Sequence, residues 1–357
     1  MQNYNIVLIP GDGIGPEITK SAIKVLNAVE QYFGTYHLVF DKHKAGAELY
    51  QQDGMAISNS TFQICRLADA IFKGPVGLPS VRKSDGTEGG LLGGILRNGL
   101  DVYANVRPIK LYQHVYTPLK ATPGLIDLII IRENTEGLYS SRGIGVSNND
   151  AAVDNLLMTR VGVERVVRFA FNMAAGRKRT IQDDIKKVTC VAKTNVLKSH
   201  VFFSEIFNEI AQEFPGIETE YLYPDAAASD LITRPDKFDI MVMENFVGDI
   251  LSDLAGAVVG GLGMCPSGNY GDDNAYFEPV HGSAPDILVN GKANPIGQIL
   301  SGAMMLRYIG EINAADFLET VVDDVLMSGK ISIGKDGYPT NGTESVTMSL
   351  INKIKNT

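Results

Sequence analysis

Residues 4–26 read YNIVLIPGDGIGPEITKSAIKVL. An apolar run, Ile6 to Ile9, meets a glycine-rich stretch, Gly11-Asp12-Gly13-Ile14-Gly15, and an amphipathic pattern begins near Pro16. A dinucleotide-binding turn starts this way. Its pattern, G-x-G-x-x-G, supplies a tight turn, a close approach to pyrophosphate and a glycine for helix–strand packing. Counted from Gly11, the third glycine falls one place early, at Gly15, and Pro16 stands where it belongs. Proline suits the first turn of a helix. The spacing predicts a strand, a loop and a helix over 16–33, and it weakens the phosphate reading.

Outward from this stretch, strand-like runs alternate with helical patterns. YHLVFDK (36–42) precedes a helix near 46–52, and DAIFKGP (69–75) leads into a loop with Pro79 and Gly86. DLIIIREN (127–134) reads as a strand. KVTCVAKTN (187–195) is another, followed by a helix from Val201 to Phe214. TEYLYPDAAASDLI (219–232) and DIMVMENF (239–246) alternate strand and helix again. Repeated β–α units predict an α/β fold with a largely parallel sheet. Glycine concentrates at 86–99 and 255–271, which predicts loops at both. The 357 residues suit two domains at roughly 150 residues each. No low-complexity linker parts them, so they are expected to be interleaved.

Hydrophobic residues make up 45% and charged residues 20%, as in ordinary globular proteins. The net charge is −9 and the pI about 5.1. Nucleic acid would need a dense basic face against that balance. The densest basic run, GRKRT (176–180), reads as a solvated helix end. Cys65, Cys190 and Cys265 are far apart and lack metal spacing, which fits a reducing compartment. No apolar run approaches the ~20 residues that span a bilayer, and the N-terminus lacks the pattern of a secretory signal. The expectation is a cytoplasmic protein that binds neither membrane nor nucleic acid.

Four constellations carry chemistry. In ENFVGDILSDLAG (244–256), Asp249 and Asp253 are four apart, so a helix puts both carboxylates on one face. They repel unless something positive sits with them; a hard divalent cation fits, and so does a helix start that favours acidic residues. Arg97, Arg107 and Arg132 fall near predicted strand ends and loops. Their forks suit carboxylates, although each alone reads equally as a surface pair. Tyr139 and Lys193 follow strands and can exchange protons when buried or near charge; either can also be a packing residue. In FEPVHGSAPDILVNGKANP (277–295), small residues and a carboxylate, Asp286, suit a nucleotide loop or a proline-rich connection.

Taken together and in order, these stretches resemble the β-decarboxylating dehydrogenase family, which acts on isocitrate, 3-isopropylmalate, homoisocitrate, tartrate and D-malate. The resemblance runs through IPGDGIGPE (9–17), LDVYANVRP (100–108), IRENTEGLYSS (131–141), AKTNVLKS (192–199), YPDA (223–226), NFVGDILSDLAG (245–256), GGLGMCPSGN (260–269), FEPVHGSAPDI (277–287), KANP (292–295) and GAMMLRYIG (302–310). It implies a two-domain isopropylmalate dehydrogenase-like α/β fold with a largely parallel central sheet, not a true Rossmann fold. Residues 1–102 and 260–357 would form the large cofactor-binding domain. Residues 103–259 would form the small domain, with the dimer interface and the metal and catalytic residues. It implies a homodimer with shared sites.

The same resemblance assigns roles. Arg97, Arg107, Arg132 and Asn195 would hold a 2-hydroxy di- or tricarboxylate. Asp225, Asp249 and Asp253 would bind Mg²⁺ or Mn²⁺, one of them reaching across the dimer. Lys193 and Asn195 would also come from the partner. Lys193, with Asp225, would take the C2 hydroxyl proton, hydride would pass from C2 to NAD, CO₂ would depart, and Tyr139 would protonate carbon. The cofactor would lie against Ile14, Glu278, His281, Gly282, Ser283, Ala284, Asp286 and Asn294. Asp286 stands where NAD-using members are acidic, so NAD is expected.

Members choose the C3 substituent with the segment before the first arginine, here TEGGLLGGILR (87–97). Isocitrate enzymes place Ser and Asn there, and neither is present. Leu91 and Leu92, with Glu88 nearby, resemble the isopropylmalate pattern, and both leucines are expected at the substrate. Gly93 and Gly94 push them away from Arg97 relative to that pattern. RENTEGLYSS looks more like the tartrate, malate and isocitrate branches. The leading expectation is 3-isopropylmalate, with D-malate or tartrate and isocitrate as alternatives. A non-catalytic regulatory subunit is a remote alternative, set against the retention of all eight chemical groups.

Overall fold

The computed structural model describes residues 1–177, 186–287 and 291–357. In chain order the elements are β1 (Gln2–Ile9), α1 (Gly15–Phe33), β2 (Tyr36–Lys42), α2 (Ala47–Asp53), α3 (Asn59–Leu67), β3 (Ala70–Lys73), α4 (Gly93–Gly99), β4 (Ala104–Lys110), β5 (Asp127–Glu133), β6 (Val146–Ser147), β7 (Ala152–Val153), α5 (Arg160–Gly176), β8 (Lys187–Val191), α6 (Lys198–Ala211), β9 (Glu218–Leu222), α7 (Pro224–Thr233), β10 (Ile240–Met243), α8 (Asn245–Ala257), β11 (Pro266–Tyr270), β12 (Ala275–Pro279), α9 (Ile296–Tyr308), α10 (Ile312–Met327) and α11 (Gly342–Lys355).

Ten strands form one sheet in the order β2-β1-β3-β12-β11-β4-β5-β10-β8-β9, and β6 pairs with β7 in a separate ribbon. The fold is α/β with a mostly parallel sheet. Antiparallel pairing is confined to its middle, where β12, β11, β4 and β5 meet in turn. Strands from the two chain ends make one half of the sheet and strands from the middle of the chain make the other. One hydrophobic cluster runs through both halves, from Ile6 and Phe72 to Val106, Ile130 and Val242.

Local signals explain the element ends. Pro16 sits in the first turn of α1, and Gly34 closes it at φ 63°, its N–H donating to Glu30 O. Thr159 caps α5 by accepting from Gly162 N. Helix α6 starts at Lys198, three residues before the expected Val201, because its polar first turn carries no apolar period.

The expectation of loops in two glycine-rich stretches is corrected in part: 86–92 is loop. Residues 93–99 are helical, with Gly93 and Gly94 in the first turn, where a glycine interrupts few helix bonds. The stretch 255–271 holds the end of α8 and all of β11. The basic run is corrected in part. Arg177 is not a solvated helix end: it is half-buried and paired with the carboxylates of Asp127 and Asp239. Lys178, Arg179 and Thr180 lie outside the described residues. No helix among the described residues is long and apolar enough to cross a membrane.

Candidate active site

β5, β10 and β8 run parallel, so their carboxyl ends share one edge of the sheet, the edge where α/β folds present ligand-binding groups. Arg132 lies at the end of β5, Asn245 opens α8 after β10, and Lys193 follows β8. Glu244 caps α8, accepting from the N–H groups of Phe246 at 2.8 Å and Val247 at 2.7 Å. This places Asp249 and Asp253 on one side of the helix, facing Arg107 and Arg132.

The positive charge that two carboxylates one turn apart require is present. Arg132 donates to Asp249 Oδ1, and through Nε and Nη2 to Asn245 Oδ1 at 2.9 and 2.7 Å. Arg107 donates to Asp253 Oδ1 at 3.2 Å, Ser252 Oγ at 2.5 Å and Asn105 Oδ1 at 2.6 Å. Tyr139 donates to Asp249 Oδ2 at 2.8 Å, and its ring lies 5.6 Å from the Arg132 guanidinium carbon. Arg97 Nε donates to Tyr276 Oη at 3.4 Å.

Burial, then Arg97 and Arg107, pull the Arg132 guanidinium down to about 9, so it stays cationic at neutral pH. Burial would raise the Asp249 carboxyl, but Arg132 and Arg107 outweigh it and hold it below the usual range. At Asp253 burial wins and the carboxyl is pushed up. Burial and the Asp249 contact push the Tyr139 phenol up, so it holds its proton.

A polar network lies beneath. Lys73, 2% exposed at the end of β3, pairs with Glu278 of β12 at 2.5 Å. Asn269 links Glu278 to Asn105 and Asn134. Asn134 Oδ1 is buried and has no partner among the described residues.

Lys193, Asn195 and Asp225 stand apart. Lys193 Nζ donates to Asp225 Oδ1 at 2.7 Å, and that carboxylate is 70% exposed. Asn195 is exposed. Strand β8 is two places from β5 in the sheet, or roughly 10 Å. The backbone N–H of Lys193 donates to Nδ1 of buried His200 at 2.9 Å.

Among the described residues no group of three metal-ligating side chains gathers within one chain. The donors that do gather, Asp249 and Asp253, are oxygens and suit a hard divalent cation.

The glycine-rich N-terminal loop binds protein. Gly13 has φ +57°, and a Cβ there would lie 2.1 Å from Ser283 O. The N–H of Ile14 donates to that same carbonyl at 2.9 Å, and Ile14 is buried with Ile18 and Ala293, with Ala284 packed against them. Asp12 accepts from the N–H groups of Ala47, Glu48 and Gly77, tying three segments together. Ser283 Oγ donates to Gly77 O, Gly282 and Asp286 are exposed, and Ala284 holds φ 40°. His281 Nδ1 donates to Gly282 O at 2.8 Å, leaving Nε2 a buried acceptor with no partner among the described residues. That acceptor fits a donor on a nucleotide. Asn294 is buried, and its amide is spent on Ile296 N, Gly337 O and Met264 Sδ. Only its backbone is left for a cofactor.

A cleft of about 520 Å³ adjoins Arg97 and Tyr139, lined also by Leu91, Ile95, Asn134 and Arg142. The two leucines part here, and the expectation for Leu92 is corrected. It is fully buried against core residues such as Leu96 and Ile9, because the turn into α4 directs it inward. Asp12, Lys73, Asn134, Arg142 and Asn245 were missed. Lysine inside the apolar run AIFK and arginine three places after Tyr139 were the available signals.

A family model described as isocitrate/isopropylmalate dehydrogenase matches residues 5–353. The chain is 40% identical over 365 residues to 3-isopropylmalate dehydrogenase from Halalkalibacterium halodurans, covering 98% of this chain and 97% of that protein. It is 43% identical over 332 residues to 3-isopropylmalate dehydrogenase from Corynebacterium aurimucosum, covering 91% and 94%. A crystal structure of isocitrate dehydrogenase from Methylococcus capsulatus superposes with TM-score 0.86 at 38% identity, covering 99% of each chain.

Proposed function

The chain belongs to the isocitrate/isopropylmalate dehydrogenase family, and from that premise we propose that it carries out NAD- and metal-dependent oxidative decarboxylation of a 3-substituted malate. It is an oxidoreductase, as the family is. One observation carries the reading: Arg107, Arg132, Tyr139, Asp249 and Asp253 converge in direct contact beside Arg97. This is a clamp for two carboxylates, set next to oxygen donors and a protonated phenol.

Arg97, Arg107 and Arg132 hold the substrate carboxylates by two-pronged hydrogen bonds. Asp249 and Asp253, with Asp225 of a second copy, would hold Mg²⁺ or Mn²⁺. The loop from His281 to Asp286, backed by Ile14 and Glu278, would hold NAD. When bound, the cofactor accepts hydride from C2 and the cation polarises the C2 oxygen. Lys193, hydrogen-bonded to Asp225, removes the hydroxyl proton. Asn195 orients the substrate from the same turn. Tyr139 gives its proton to C3 after CO₂ leaves.

The separation of Lys193 and Asp225 from Tyr139 supports sharing of the site between two copies. Ile144, Val146, Val161, Val196 and Ile250 are each more than half exposed, and all lie between 103 and 259, the part read as the dimerising domain. The three cysteines are buried and free, which suits the cytoplasm.

The relatives' activity and the apolar Leu91 and Ile95 make 3-isopropylmalate the first substrate to test. Isocitrate is the second, favoured by the guanidinium of Arg142 on the same cleft. The test mixes protein, NAD and Mg²⁺ with a panel of 3-substituted malates and follows NADH absorbance. Turnover of one or more, abolished by a chelator and restored by the cation, is expected. No turnover of any malate, or full activity without divalent metal, overturns the reading.

A further inference from the structure

Four arginines surround the candidate site, and two of them, Arg97 and Arg142, pair with no carboxylate among the described residues. Arg107 and Arg132 are paired with Asp253 and Asp249. Arg97 donates to Tyr276, and with Arg107 and Arg132 it is assigned to the two carboxylates of a malate core. Arg142 lines the same cleft, yet no carboxylate among the described residues pairs with it. A malate core brings no third carboxylate for it.

The position of Arg142 is built. Its guanidinium carbon lies 5.8 Å from the centre of the Tyr139 ring, within cation–π reach. A Cβ on Gly94 would lie 2.9 Å from Arg142 Nη1, and a Cβ on Gly93 would lie 3.7 Å from Arg97 Cζ. Gly94 therefore leaves room for the Arg142 guanidinium, whereas a side chain at Gly93 would make only ordinary contact with Arg97. Leu91 and Glu88 line the same cleft on its Gly77 side: a Cβ on Gly77 would meet Leu91 Cδ2 at 3.0 Å and Glu88 Oε1 at 2.7 Å. The wall beside Tyr139 is cationic, and Leu91 and Ile95 line other parts of the same cleft. Burial and then Arg97 disfavour charge on Arg142. An anion near both guanidinium groups relieves that repulsion.

We propose that Arg142 is a specificity-determining residue that receives an anionic group carried on C3 of the substrate. The inference rests on the reading of the site as a clamp for 3-substituted malates. It names the class within it: a malate whose C3 arm ends in a carboxylate, rather than in an alkyl group alone. Arg142 is an exposed residue, so its guanidinium stays hydrated when the arm is uncharged. Discrimination then comes from the ion pair that a carboxylate arm gains beside Arg97 and Tyr139, and is modest.

The test compares isocitrate, which is 3-(carboxymethyl)malate, with 3-isopropylmalate in the full-length protein, in Arg142→Met and in Gly94→Ala. In R142M the ratio of kcat/KM for isocitrate to that for 3-isopropylmalate should fall about tenfold. G94A, which displaces the guanidinium without removing it, should move the ratio the same way by less. A ratio unchanged within about twofold in R142M overturns the proposal, as does an equal loss on both substrates. Calorimetric binding of tricarballylate and isopropylsuccinate, which lack the reactive hydroxyl, reads the same preference without turnover. Tricarballylate binding that weakens in R142M supports the anion site even if neither malate is oxidised; that result would reject the reaction and keep the site. Tricarballylate binding equally tight in both proteins rejects the site.

Discussion

Tyr139 donates its hydroxyl to Asp249 at 2.8 Å. Through this contact a proton donor is held by a carboxylate that is itself held by Arg132. Burial and the carboxylate both favour the protonated phenol. We predict that Tyr139→Phe lowers kcat by roughly 10²-fold or more and leaves KM within about threefold. Steady-state kinetics checks this, and an unchanged kcat removes Tyr139 from proton delivery.

Lys193 and Asp225 form one pair, while Tyr139 and Asp249 form another. If each site takes one pair from each copy, two inactive variants complement each other. Mixed dimers of Tyr139→Phe with Lys193→Met should recover about a quarter of wild-type activity, since half the dimers are mixed and each has one intact site. A site built within one chain recovers none. Unfolding and refolding the two variants together, then assaying, decides between them.

Asp286 is exposed on the loop proposed to hold NAD. A carboxylate there accepts from ribose hydroxyls and repels a 2′-phosphate. Asp286→Lys should lower kcat/KM for NAD and raise it for NADP, shifting the ratio by about tenfold or more. A ratio that stays put places discrimination elsewhere.

Glu278 lies below its usual carboxyl range: burial would raise it, and Lys73 together with Arg97 and Arg107 outweighs burial. The folded value is depressed, so the pair's stabilisation is full above the unfolded value near 4.5 and is lost as pH falls through the folded value. Lys73→Met strands a buried carboxylate and should cost about 3 kcal/mol at neutral pH. In K73M burial acts against Arg97 and Arg107 alone, so the Glu278 carboxyl moves upward and the variant loses more stability at pH 7 than at pH 5. Urea melts at pH 7 and pH 5 measure both effects. A wild-type-like pH profile in K73M would show that the pair carries none of this dependence.

Patterns that repeat along the chain were legible. Pro16 and the apolar period marked α1, and alternation of runs marked the α/β class. Ordered motifs marked the arginines, Tyr139 and the aspartates. What stayed hidden depends on burial of single polar groups. Asp12 has no local pattern that announces three N–H donors from distant segments. Lys73 interrupts an apolar run, and only β12, some 200 residues later, gives it a carboxylate. Leu92 misled because adjacent leucines look alike in sequence, while the turn into α4 sends them in different directions. Gly94 read as helix weakness until Arg142 occupied the space it leaves.

The threading of the sheet has a consequence for synthesis. β3 is flanked by β1 and β12, so one side of a fully buried strand waits for residues 275–279. At ribosomal speed the 200-residue gap between β3 and β12 lasts roughly 10–40 s. During that interval the nascent chain carries an unpaired hydrophobic edge of the kind that recruits wrong partners, while the middle half of the sheet emerges with all its own strands. The stage at which this protein is most exposed to misassembly is therefore translation, before its last hundred residues exist.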